Sequence, residues 1–145
     1  MQGNHDAWAS VETGPGLTAE DRRWLAGLPR IHSDGDWLAY HSHMDDVEGD
    51  DIPTWVYVLN ERDIRRTFAH HDRPRVLVCG HSHIASVNVL EPDGRLTYVP
   101  PGTLKRDPRV PVAPGARYLV CAGRPDECVV IYHAGEAIEF VFRAD

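Results

Sequence analysis

Three short clusters in this chain carry side chains able to bind a metal and move a proton. The first is Asn4-His5-Asp6 behind Gly3, the second is the lone His41, and the third is Gly80-His81-Ser82-His83. Two neutral imidazoles on one face form a natural chelate for a transition metal. In extended backbone, residues two apart point the same way, so His81 and His83 are expected to face one cavity. An Asn carbonyl oxygen can ligate a metal, and a His can transfer a proton. A neighbouring carboxylate can fix the tautomer of that His and raise its basicity. Each cluster also has a plain reading: polar loop histidines, a solvated imidazole at a strand end, and a turn rich in turn-forming residues.

The elements that must position these clusters are readable. The run 75–79, Arg-Val-Leu-Val-Cys, is continuously apolar after its first residue, as expected of a strand buried on both faces. Gly80 is expected to turn the chain sharply where that strand ends. His41 closes a second predicted strand, 37–40, which pairs as a hairpin with 31–32 across Asp34-Gly35. Thr18 and Asp21 form a capping-box pair that opens a helix over 18–29, with Trp24, Leu25 and Leu28 as its apolar face. Asn60 and Asp63 open another that ends near His71, with Leu59 placed to staple onto Ile64. Residues 11–16 and the acidic stretch 45–53 read as loops. Strands are predicted at 84–90, 96–99, 118–121, 129–132 and 138–142, the first two joined by the Pro92-Asp93-Gly94 turn. Helices and strands followed by consecutive strands give a mixed α/β fold whose sheet is finished by antiparallel strands.

The 145 residues match one domain, and an apolar fraction of 42% is ordinary for a globular core. A net charge of -7, from 22 acids against 15 bases, argues against broad nucleic-acid or membrane-surface binding. It leaves small phosphorylated substrates open, because a bound cation supplies positive field locally. Cys79, Cys121 and Cys128 form no zinc knuckle and are expected to be reduced and buried, as in a cytoplasmic protein. No apolar run reaches membrane-spanning length. His70 and His71 suit a helix end, and Trp8 and Trp55 are expected in the core.

Taken in order, the clusters resemble the last three of five motif blocks of the calcineurin-like metallophosphoesterases, particularly the small bacterial phosphodiesterase-like members. Those blocks are Asp-x-His, Gly-Asp-x-x-Asp, Gly-Asn-His-Asp/Glu, a lone His and Gly-His-x-His. Here the last three stand at Gly3–Asp6, His41 and Gly80–His83, and Pro101-Gly102-Thr103 is similar to the turn that often follows. The resemblance implies the C-terminal portion of an α/β/β/α sandwich, with mixed sheets flanked by helices. It implies that Asn4, His41 and His81 bind one metal of a dinuclear pair and His83 the other. It implies that His5 protonates the leaving oxygen and Asp6 holds His5. A hydroxide bridging two ions (manganese, iron, zinc or nickel) would hydrolyse a phosphomonoester or phosphodiester.

Ser42 stands where the lone His is usually followed by glycine, and the first two blocks have no match in the sequence. The domain over 1–145 is therefore expected to lack its N-terminal metal-binding segment. Two dications about 4 Å apart repel by about 17 kcal/mol at an effective dielectric near 20, so without the bridging carboxylate at most one metal is expected to bind well. Self-association or a complementing N-terminal segment would be the corresponding partners. Two other readings compete. A cupin-type barrel is suggested by Gly35, His41, His43 and Glu48, and by Gly94 with Pro100-Pro101-Gly102, although Trp55 replaces a closing glycine. A non-catalytic binding module on the phosphoesterase fold would retain the same residues without using them.

Overall fold

The computed structural model describes residues 2–11, 16–41 and 60–143. Among the described residues thirteen elements follow one another: α1 (Asn4–Val11), α2 (Ala19–Ala26), β1 (Ile31–Asp34), β2 (Trp37–Tyr40), α3 (Glu61–His70), β3 (Val76–Cys79), β4 (Ser86–Leu90), β5 (Leu96–Val99), α4 (Pro101–Leu104), β6 (Arg109–Pro111), β7 (Arg117–Cys121), β8 (Cys128–His133) and β9 (Ala137–Phe142). They build a six-stranded mixed sheet in the order β1-β2-β3-β7-β4-β5 and a three-stranded antiparallel sheet in the order β6-β9-β8. The two sheets face each other across one core. Val76, Val87, Val89, Tyr118 and Val120 from the large sheet meet Cys128, Ile138 and Phe140 from the small one. A second core lies on the opposite face of the large sheet, where Ile64 and Phe68 of α3 cover Leu77, Cys79, Leu119 and Cys121.

The uninterrupted apolar run of β3 is explained by its neighbours. It pairs in parallel with β2 on one side and β7 on the other, and Val76 and Leu77, pointing to opposite faces, are both fully buried. Both edges of β3 are therefore paired. Parallel pairing of β2, β3 and β7 also removes the cupin reading, because a jelly roll is built from antiparallel strands. Glu48, on which that reading leaned, and Trp55, which departs from it, lie outside the described residues, as do Ser42, His43, the acidic loop and Leu59.

Local chemistry sets the element ends. Thr18 Oγ1 accepts the Asp21 N–H, and the Asp21 carboxylate returns to the Thr18 N–H at 2.8 Å, a complete capping box. Asn60 caps α3 by accepting the Asp63 N–H at 3.0 Å. The far end of α3 is closed by Arg117, which the sequence did not flag: its guanidinium donates to the Phe68, His71 and Pro74 carbonyls and lies 5.1 Å over the Phe68 ring. Gly35 and Gly94, at φ of 60° and 84°, turn the β1–β2 and β4–β5 hairpins.

Several sequence expectations are corrected here. Residues 4–11, where the sequence reading placed the end of a motif and, from residue 11, the start of a loop, form helix α1. The proposed apolar face of α2 is not buried; Trp24 is 66% exposed and no residue of the helix is buried. Trp8 is likewise surface-lying, with its ring against His5 at 5.5 Å between centroids. Pro101–Leu104 is a single helical turn, and β6 is a strand the sequence reading missed. All three cysteines are free and buried, as expected. Among the described residues no helix is long and apolar enough to cross a membrane.

Candidate functional site

His41 follows the last residue of β2, and the 80–83 loop leaves the end of β3 beside it. Because β2 and β3 are parallel neighbours, their C-terminal ends lie at the same edge of the sheet. One hydrogen bond fixes the two exits together: the Gly80 N–H donates to the His41 carbonyl at 2.9 Å. The imidazoles of His41 and His81 then stand edge to face, with centroids 5.2 Å apart and planes at 63°.

The third strut comes from the N-terminal segment. Gly3 packs its backbone directly on the His41 ring, so closely that a β-carbon there would lie 2.9 Å from two ring atoms. Gly3 is buried, and its conformation is one any residue can adopt, so close approach rather than backbone freedom is what glycine provides. The segment is anchored by Gln2, whose N–H donates to the Pro29 carbonyl at 2.9 Å and whose amide donates to the Leu25 carbonyl at 3.0 Å. Asn4 opens α1 at this point, next to Gly3. Asp6 Oδ2 accepts the Gly3 N–H at 2.8 Å, tying the start of the helix to the residue that presses on His41. His5 is exposed on the same turn.

Several of these groups lie near enough to His41 to shift its protonation. Burial pushes the His41 imidazole down to about 4, helped by the nearby His81, His83 and His5 and opposed by the Asp6 carboxylate. At neutral pH His41 is therefore unprotonated, which is the form that binds metals. Four of the six residues singled out in the sequence, His5, Asp6, His81 and His83, thus act electrostatically on a fifth, His41, and Asn4 lies between Gly3 and His5 in the chain.

The 80–83 loop differs from its expected form. The backbone is not extended: His81 and His83 both adopt left-handed φ, 60° and 58°, and the turn attributed to Gly80 is made by these two histidines. His83 is exposed, whereas His81 is partly buried against His41. Between them, Ser82 turns inward and its hydroxyl meets Cys121 Sγ at 2.8 Å. Cys121 had no assigned role in the sequence reading. The Cys79 thiol, then Ser82 and the Gly123 and Ile84 N–H groups, hold the Cys121 thiol down to about 6 against the opposing effect of burial.

Among the described residues no three His, Cys, Asp or Glu side chains converge as a ligand group. The imidazoles of the neighbouring His41 and His81 rings are donors of a type that divalent transition metals accept.

No protein-family profile matches this sequence, and no curated protein matches it. The solved structure of a metallophosphoesterase from Sphaerobacter thermophilus does match, with a TM-score of 0.69 at 19% sequence identity. The fold is metallophosphoesterase-like. The match covers 97% of this chain and 65% of that protein, so the chain spans about two thirds of the solved protein's length. Within this metallophosphoesterase-like fold, the paired exits of β2 and β3 and the Gly3 strut define the candidate site.

Proposed function

We propose that the chain is a metal-dependent phosphoric ester hydrolase domain with one metal position built around His41 and His81. The observation that carries this reading is the wedging of unprotonated His41 between Gly3 and the 80–81 turn, at a centroid distance of 5.2 Å from His81. Asn4, His41 and His81 would hold the ion, and His83 would serve a second position. A manganese, iron, zinc or nickel ion bound there would supply Lewis acidity toward phosphoryl oxygens. His5, exposed on the first turn of α1, is free to meet a small phosphorylated substrate from solvent and to donate a proton to its leaving oxygen. Asp6 acts through Gly3: by holding the Gly3 N–H it sets the start of α1, and with it the place of His5.

The test is hydrolysis of bis(p-nitrophenyl) phosphate by the purified chain with added manganese. The expected result is turnover at least tenfold above manganese alone, lost in His41→Ala and in His5→Ala. No turnover, or turnover that survives His41→Ala, overturns the assignment. Titration calorimetry with manganese on the same sample is expected to give no more than one tight site per chain, removed by His81→Ala.

A further inference from the structure

Cys79 and Cys121 are direct partners at the ends of β3 and β7. Both side chains lie on the α3 face of the sheet, in one buried cluster, and the Cys79 thiol hydrogen-bonds Cys121. Neighbouring strands run about 4.8 Å apart, within the Cα spacing of about 4.4–6.8 Å that a disulfide bridges. Cys121 is also the inner anchor of the 80–83 loop, because its sulfur meets the Ser82 hydroxyl at 2.8 Å and lies 3.5 Å from the Gly80 carbonyl. Ser82 in turn lines a cavity of about 380 Å³ with Ile84, Ser86 and Asn88, which gives a small oxidant a route to the sulfur behind it.

We infer that Cys79 and Cys121 form a reversible thiol–disulfide pair, and that oxidising it releases the loop bearing His81 and His83. With hydrogen peroxide, the Cys121 sulfur attacks one peroxide oxygen and breaks the O–O bond. That leaves a sulfenic acid on Cys121 and one water. The Cys79 sulfur then attacks Cys121, the S–S bond forms, and the hydroxyl leaves as a second water. The two sulfurs together lose two electrons and peroxide gains them. Cys121 lies directly against Ser82, which lines the cavity, and this places it as the first nucleophile. A disulfide needs β-carbons about 3.8 Å apart, so bridging draws the ends of β3 and β7 together. It also removes the thiol that bonds Ser82. The strain this imposes belongs to the class of bonds that is readily reduced. Cys128 lies in the other core, between the sheets, and serves as an internal control.

The bridge itself does not depend on the phosphoesterase reading; its effect on metal binding does. The experiment treats the native, metal-free chain with hydrogen peroxide, removes the oxidant, then denatures and alkylates. The expected product carries one alkylated thiol, Cys128, and yields a peptide joining Cys79 to Cys121 that dithiothreitol splits. Amide hydrogen exchange over residues 80–84 should rise at least tenfold in the oxidised chain and return on reduction. Three alkylated thiols, a link through Cys128, or exchange unchanged by oxidation overturns the inference. Manganese affinity measured in both states then separates the two ideas. A bridge with faster exchange in a chain that binds no manganese even when reduced sinks the phosphoesterase reading and leaves the redox pair standing.

Discussion

The candidate site is held from two sides by different means. The His81 side hangs on β3 and β7, strands whose residues are almost wholly buried between two cores. The Gly3 side hangs on α1 and α2, which pack on each other; α2 contains no buried residue, and the described anchors of this side are the Gln2 hydrogen bonds and the contact of Gly3 with His41. A geometry that needs both sides is therefore as durable as its weaker support. Stability of the domain and integrity of the site should come apart under mutation.

The largest expected effect breaks the strong side. Leu77 is fully buried under α3, so Leu77→Ala should cost about 2–5 kcal/mol in urea unfolding. Trp24→Ala, at an exposed position of α2, should stay within about 0.5 kcal/mol. Comparable losses would mean that the two supports do not differ. The next effect isolates the weak side. Gly3→Ala places a methyl 2.9 Å from the His41 ring, so it should weaken manganese binding at least tenfold in calorimetry while leaving the urea midpoint of the sheets nearly unchanged. Gly102→Ala, where a β-carbon would meet nothing within 4 Å, is its matched control. The smallest effect concerns the α2 cap. Hydrogen bonds from Thr18 hold the Asp21 carboxyl below its ordinary value of 3.8. A carboxyl depressed in the folded state stabilises above its unfolded value, and that contribution disappears as pH falls through the folded one. Thr18→Ala should thus raise the Asp21 midpoint in an NMR titration, and its small stability deficit should shrink below pH 3.8.

The sequence revealed the strong side better than the weak one, for physical reasons. β3 was legible because burial on both faces demands an unbroken apolar run, and the hairpins because Gly35 and Gly94 supply the positive φ their turns require. α1 was not, because Asn4 and Asp6 favour turns by local preference, and the Asp6 bond to the Gly3 N–H at the start of the helix is visible only in the structure. The site's residue types were readable from motif order. Its shape was not: nothing in the letters of His81 and His83 announces left-handed backbone, and the contact of Gly3 with His41 joins residues far apart in the chain. The pairing of Cys79 with Cys121 was hidden for the same reason, since strand register across 42 residues is a tertiary fact.

The two left-handed histidines have an evolutionary consequence. A side chain with a β-carbon gives up about 1 kcal/mol in that region relative to glycine. Mutation unconstrained by use would drift both positions toward glycine or asparagine, and the domain would fold no worse for it. Imidazoles at φ of 60° and 58° are choices that folding alone does not reward.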